Sequence, residues 1–248
     1  MLRDSLGNRM KHNYEEVSRT RLTRRMPVII RLDGKAFHTF TKGMKKPFDE
    51  VFNKSMQQTM EYLCKNIQGC VLGYTQSDEI TLVLIDYQTL QTDAWFDYEV
   101  QKMTSISAAM ATLAFNSYFI ENAMMSDDVE IYQKKFNTAL FDSRVFNVPK
   151  EEVTNCVLWR QADAERNSVS ALAQSLFSHK SLHGLSRKDM VAKIELEKGI
   201  VWGNLPTMFK RGTCCRKNAD GHWYIDTEIP RFTAEGRSYI DDLIFVGE

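Results

Sequence analysis

Three short apolar segments frame two acidic clusters, and this arrangement restricts the fold more than any other feature of the chain. The first segment, Val28-Ile29-Ile30-Arg31-Leu32, ends in Asp33-Gly34. The other two, Val71-Leu72-Gly73-Tyr74 and Ile80-Thr81-Leu82-Val83-Leu84-Ile85, are separated by Thr75 and Gln76-Ser77-Asp78-Glu79. β-Branched residues dominate the first run, so it reads as a strand opened by Pro27. The gap between the other two is short enough for a hairpin loop. If the three strands are neighbours in one sheet, Asp33 and Asp78 converge at one edge. Carboxylates at strand ends suit Mg²⁺, which takes one or two of them and fills its remaining positions with water and substrate phosphate. Two such ions ~3.5–4 Å apart clamp the attacking and leaving oxygens of an in-line phosphoryl displacement. The pattern points to a nucleotidyl-transfer palm.

The surrounding periodicities agree. Phe48, Val51, Phe52, Met56, Met60 and Leu63 recur at helical spacing, so 48–66 is expected as an amphipathic helix lying on the sheet. Strands are expected at 70–75, 80–85 and 139–146, and a second long helix, rich in Ala and Met, over 95–119. The order β-α-β-β-α-β is that of a ferredoxin-like antiparallel sheet with helices on one face, an α+β fold. The rest reads as mainly helical. Pro149 sits at a first helical position with Glu151-Glu152 in the first turn, and that helix is expected to run to about 178. Ser186 and Asp189 have capping-box spacing, and Gly199 is a natural C-terminal stop. Residues 212–227 read as a hairpin around Asn218-Ala219-Asp220-Gly221. We therefore expect a palm-like catalytic domain over 1–147, opening with a basic arm, and a mainly helical region with a β-hairpin over 148–248.

Charge distribution says more than net charge, which is zero. Residues 1–46 carry twelve Lys/Arg against four Asp/Glu, an excess of about eight. A second basic cluster comprises Lys210-Arg211 and Arg216-Lys217. Basic surface beside an acidic pair fits a site that takes phosphates and metal together. The five cysteines are odd in number and lack CxxC spacing, which argues against a disulfide framework or zinc site and for a reducing cytoplasm. No apolar run approaches the roughly 18 residues of a membrane span, and Met1-Leu2-Arg3-Asp4 has no signal-peptide core. His179, His183 and His222 are scattered without metal-ligand spacing. Met103 and Met110 read as helix packing.

Around the first aspartate, Gly34 permits close backbone approach. The turn Gly34-Lys35-Ala36-Phe37-His38 offers successive N–H groups that can cradle a triphosphate. Phe37 or Phe40 is a candidate to stack on a base, although Phe40 could equally be core.

These residues also carry a resemblance. Ile29-Ile30-Arg31-Leu32-Asp33-Gly34-Lys35-Ala36-Phe37-His38-Thr39-Phe40 closely resembles the opening catalytic motif of the tRNA-His guanylyltransferase family, and Ser77-Asp78-Glu79 is similar to its second motif. Phe141-Asp142-Ser143-Arg144, Trp159-Arg160-Gln161-Ala162-Asp163 and the stretch from Asn204 to Thr213 look like further blocks, in the family's order. The resemblance implies a polymerase-like palm that adds nucleotides to RNA 5′ ends in the 3′-to-5′ direction. It implies Asp33, the Gly34 carbonyl and Asp78 as ligands of two Mg²⁺ ions, with Glu79 as a partner carboxylate. It implies Lys35, Ala36, Phe37 and His38 around the incoming nucleoside triphosphate. Ser77, Lys102 and Ser105 then lie near the activating nucleotide, and Arg144 contacts a triphosphate. One stretch departs from the pattern. Where members acting on tRNA-His carry His-Ile-Asn-Asn-Leu-Tyr-Asn, this chain has Glu165-Arg166-Asn167-Ser168-Val169-Ser170-Ala171, in which only Asn167 matches. The departure points to the bacterial and archaeal guanylyltransferase-like branch, which repairs truncated 5′ ends against a template. Asn167, Lys210 and Arg211 would then be RNA contacts, and family likeness implies a homotetramer.

The implied chemistry is ATP activation of a 5′ phosphate on tRNA, then attack by the 3′-hydroxyl of an incoming GTP or other NTP. It needs no Ser, Cys or His nucleophile, because positioning and charge do the catalysis. Two rivals stand beside it. A diguanylate-cyclase-like enzyme also uses an acidic hairpin on a palm, but the turn at Gln76-Ser77-Asp78-Glu79-Ile80 lacks the Gly-Gly start. A catalytically inactive RNA-binding palm would have no need of clustered carboxylates.

Overall fold

A computed structural model describes residues 5–247. The first four residues, read above for a signal sequence, and Glu248 lie outside the described residues. At the centre is a six-stranded sheet in the order β4-β1-β3-β2-β5-β6, antiparallel throughout. The strands are β1 (Val28–Gly34), β2 (Cys70–Gln76), β3 (Glu79–Leu84), β4 (Phe141–Asn147), β5 (Thr213–Lys217) and β6 (Trp223–Asp226). The first four give the ferredoxin-like order expected from the sequence, and the late hairpin β5–β6 extends the same sheet past β2.

Strand periodicity divides β1 between two cores. Val28, Ile30 and Leu32 face helices α1 (Glu50–Asn66) and α2 (Val100–Met124), together with Met56, Met60, Leu63 and Phe115. Ile29 faces the other way, with Leu72, Tyr74 and Val83. There the sheet is covered by α3 (Lys150–Leu176) and, after helix α4 (Arg187–Lys198), by α5 (Ser238–Ile244), through Val153, Val157, Ile240 and Ile244. The position 147/148 falls at the end of β4, and the residues beyond it supply the cover of the second core and two strands of the same sheet. Arg31 and Asp33 share the parity of Ile29, so both emerge on the α3 side of the sheet.

Local signals set most element ends. Asp49 caps α1 by accepting from the Phe52 amide at 2.9 Å. Ser186 and Asp189 form the expected capping box on α4, and Gly199 closes that helix at φ 65°. Helix α2 starts five residues later than expected. Phe96, Asp97 and Tyr98 hold φ near +50°, a left-handed run that ordinary residues adopt at a cost of roughly 1–2 kcal/mol each. Ion pairs from Arg21 (2.6 Å) and Arg24 (3.1 Å) to Asp97 hold it in place, with a backbone bond from the Leu22 amide to the Tyr98 carbonyl. The basic arm is thus docked on the start of α2. Among the described residues no helix is long and apolar enough to cross a membrane.

Candidate active site

The acidic end of the sheet is assembled by register. Asp33 stands directly opposite Glu79 on β3 and Asp142 on β4, so three carboxylates cross three strands in one row. The β2–β3 turn is tied to this row by the Gly34 amide, which donates to the Asp78 carbonyl at 3.1 Å. The expectation that Asp33 and Asp78 belong to one edge is met in the backbone itself. Gly34 is required there for steric reasons, because a Cβ would lie 2.4 Å from the Phe37 ring.

Electrostatics marks the same pair. Burial pushes the Asp33 carboxyl above the usual carboxylate range, and Glu79 and Asp142 push it further against the opposing pull of Arg144 and Arg31. Burial also raises Asp78, with Asp33 and Glu79 adding to it, although its own amide and the Ser77 hydroxyl at 3.0 Å favour the anion. Among the described residues no three His, Cys, Asp or Glu side chains converge as a metal cage. The donor set of two carboxylates and a nearby carbonyl nevertheless fits Mg²⁺, which keeps several waters and finishes its shell on phosphate.

Glu79 has a different part. Its carboxylate accepts from Arg160 Nε at 3.0 Å, from Arg160 Nη2 and from the Gln76 amide at 2.6 Å, with Arg31 at 3.7 Å. Arg160, on α3 and 7% exposed, also reaches Asp163 at 2.7 Å. Burial pulls the guanidinium pKa down, but the bonds to Glu79 and Asp163 outweigh it and the net shift is upward. Glu79 therefore anchors the β2–β3 turn to α3. The signal for Arg160 was in the sequence: an arginine on the stripe that includes Val153, Val157, Gln161 and Ala164 must have a buried partner.

The Gly34–His38 turn lines a cavity of about 320 Å³ with Ser77 and Asp78. Ala36 and Ser77, at φ 56° and 50°, bend the two walls into place. His38 lines the cavity and is exposed, as is Lys35 in the same turn. Phe37 and Phe40 are not available to a base. They stack on each other at 4.8 Å and pack against Phe115, buried by the same apolar pressure that fills the α1–α2 core. Next to Ser77 a cleft of about 260 Å³ runs between the loop before α1 and helix α3, lined in part by Thr41, Lys45, Phe48, Asn167 and Phe209.

The remaining assignments separate. Exposed Asn167 faces that cleft. Lys210 is turned inward: it is 8% exposed and donates to the Gly203 carbonyl. Arg211 is half-buried against Glu165 at 3.1 Å, a residue that Arg231 shares at 2.9 Å. Arg216 stacks on Tyr239. Arg144 is half-exposed with its Asp142 partner at 3.4 Å. Lys102 and Ser105 lie on the opposite side of edge strand β4, on the first turns of α2, where Lys102 pairs with Glu99 at 3.7 Å. Thr112 meets the Phe141 end of β4. Ser107 bonds Ser143, the neighbour of Asp142, at 2.7 Å, so Lys102 lies about 8 Å beyond that point along the helix axis.

Comparison with known proteins agrees with this geometry. The family model described as tRNAHis guanylyltransferase matches residues 7–149. An uncharacterized protein of Acanthamoeba polyphaga mimivirus is 30% identical over 238 residues, covering 88% of this chain and 78% of the relative. A bacterial tRNA(His) guanylyltransferase-like protein solved in complex with ATP superimposes with a TM-score of 0.88 at 42% identity, covering 98% of this chain and 100% of that one. Another, in complex with GTP, gives 0.80 at 36% identity with the same coverage.

Proposed function

Because the chain belongs to the tRNAHis guanylyltransferase family, and is thus a nucleotidyltransferase, we propose that it adds nucleotides to the 5′ end of tRNA in the 3′-to-5′ direction, directed by the opposite strand. The observation that carries this reading is the junction of the two acidic elements, in which the Gly34 amide is bonded to the Asp78 carbonyl and the Asp33 carboxylate adds to the upward shift of Asp78. Repair of truncated ends, rather than dedicated tRNA-His guanylylation, is supported by the departure over Glu165–Ala171 and by the likeness to the bacterial guanylyltransferase-like proteins.

Asp33, Asp78 and the Gly34 carbonyl are the residues that would hold Mg²⁺. When bound, the metal supplies acidification of the attacking 3′-hydroxyl and offsets charge on the leaving oxygens. The chain's own residues do the positioning. The Gly34–His38 turn receives the triphosphate of the incoming nucleotide, with Lys35 and His38 as exposed cationic or donor groups. The base enters the adjoining cleft, whose Asn167 edge faces the paired strand. Arg144, beside the carboxylates, meets the phosphates of an activating ATP. Glu79 and Arg160 hold the turn so that Asp78 faces Asp33. Orientation of this kind replaces a covalent intermediate.

The functional unit is read as a homotetramer. Its support is α2, whose outer face exposes Ile106 and Leu113, the latter 69% open to solvent. The test of the reaction is incubation with labelled NTPs and a tRNA lacking its first nucleotide. Elongation at the 5′ end supports the reading. A cyclic product from GTP alone, with no label on RNA, would replace it with the cyclase.

A further inference from the structure

Trp159 lies close to the acidic edge and is exposed to a degree that packing does not account for. It sits on α3 one residue before the buried Arg160, and 51% of it is open to solvent. Two guanidinium groups frame its ring. Arg31 lies 5.5 Å from the ring centroid and Arg160 4.4 Å. Arg31 occupies β1 two residues before Asp33 on the same face, about 7 Å along the strand. Its register partner on β4 is Arg144, half-exposed at the sheet edge. The Arg31 side chain is incompletely satisfied, because its Nε is buried without a hydrogen-bond partner and Glu79 is 3.7 Å away. The result is an open shelf, with an indole wall, a floor of two arginines, and the Asp33 carboxylate at its end.

We propose that this shelf is a nucleobase-binding subsite, in which Trp159 stacks on the base and Arg31 and Arg144 meet its phosphate. The chemistry of the shelf selects that ligand. An exposed indole offers a π-face to any base, and arginine reads phosphate with a planar fork. The cations sit on the side from which a 5′ phosphate or an activating nucleotide would approach Asp33. Simple core packing does not account for the ring's exposure, and the Glu79–Arg160 bonds hold α3 so that the indole keeps its place over the sheet. This inference rests on the nucleotidyl-transfer reading, and it adds a stacking residue that neither the acidic pair nor the Gly34–His38 turn supplies. Two sources of base fit the shelf, the activating nucleotide and the 5′-terminal residue of the RNA.

Tryptophan emission separates them. Wild-type protein and Trp159→Phe are titrated with ATP, with GTP, and with a short 5′-monophosphorylated RNA. One of the three is expected to quench wild-type emission, and that quench is expected to vanish in Trp159→Phe. Quenching by ATP or GTP assigns the shelf to the activating nucleotide, and quenching by RNA assigns it to the 5′ end. In turnover, Trp159→Ala is expected to raise KM for the same ligand by roughly 5- to 150-fold, with kcat within a few-fold. Trp159→Phe, which keeps an aromatic face, should stay within a few-fold of wild type in both. Absence of quenching by all three ligands overturns the proposal, as does Trp159→Leu performing as well as Trp159→Phe. Failure of the parent reading looks different: no 5′ addition by wild type while quenching persists would leave a nucleobase shelf on a protein with another reaction.

Discussion

Arg160→Ala is the sharpest perturbation of the frame that holds the catalytic turn. The guanidinium makes two bonds to the Glu79 carboxylate and one to Asp163, and both Arg160 and Glu79 are largely out of solvent. Removing one member of a buried pair costs about 3–5 kcal/mol, because the survivor keeps its desolvation penalty without its partner. Here Gln76 at 2.6 Å and Arg31 at 3.7 Å remain beside Glu79, and Asp163 retains Arg166. The expected loss is therefore at the low end, about 3 kcal/mol. Urea unfolding of wild type and Arg160→Ala measures it. Pairing Arg160→Met with Glu79→Gln removes both charges and should recover about 2 kcal/mol of that loss, a coupling within the range seen for contacting residues. Lysine at 160 should recover little, since an ammonium cannot span Glu79 and Asp163 as a planar fork does. Nucleotide incorporation should fall in the single variant even below its unfolding midpoint, because an unpaired Glu79 adds its charge to Asp33 across the strand. A loss under about 1 kcal/mol, or strict additivity of the two substitutions, would show the pair to behave as a surface salt bridge and refute the anchoring role.

Three further outcomes follow from the geometry. Both Asp33 and Asp78 bind their protons more tightly folded than unfolded, so their contribution to stability is complete below the unfolded pKa and is lost as pH rises through the raised folded values. Metal-free wild type should lose melting temperature relative to Asp33→Asn as pH rises above the ordinary carboxylate value of about 4, and a variant that melts below wild type at neutral pH would contradict this. Gly212→Ala places a Cβ 2.5 Å from the Thr75 carbonyl at φ 84°, next to the strand that leads into the Ser77 turn. It should cost about 2–5 kcal/mol in denaturant unfolding, and an unchanged midpoint would contradict it. Leu113→Glu on the open face of α2 should convert the oligomer to smaller species by light scattering, and a wild type that is already monomeric would remove the basis for a tetramer.

Much of the site was readable because it depends on strand parity and turn length. The run from Val28 to Gly34 fixes which side chains face α1 and which face α3, so Asp33 could be placed at an edge before any coordinates. The Gln76–Glu79 gap was too short for anything but a tight turn. Other parts depend on which surfaces meet, and periodicity is blind to that. Phe37 sits in a motif expected to hold nucleotide, yet its ring answers to Phe52, Phe115 and Phe141, residues up to about a hundred positions away. Lys210 reads as a surface cation until the Gly203 carbonyl is folded against it. The left-handed run at Phe96–Tyr98 has no glycine to announce it, and the ion pairs that hold it come from the arm. The sequence also does not say that α3 delivers Arg160 to Glu79.

The central claim is that Asp33 and Asp78 act together on the 5′ end of an RNA. The most direct measurement is the rate at which labelled GTP and ATP extend a 5′-truncated tRNA, for wild type, Asp33→Ala and Asp78→Ala, with Mg²⁺ present and after chelation. We expect products lengthened at the 5′ end by wild type with Mg²⁺ only. Each alanine variant should retain wild-type circular dichroism while its rate falls by at least about a thousandfold, the scale of removing a main electrostatic contribution. Label entering the 3′ end, or Asp78→Ala extending the RNA at the wild-type rate, would contradict the account.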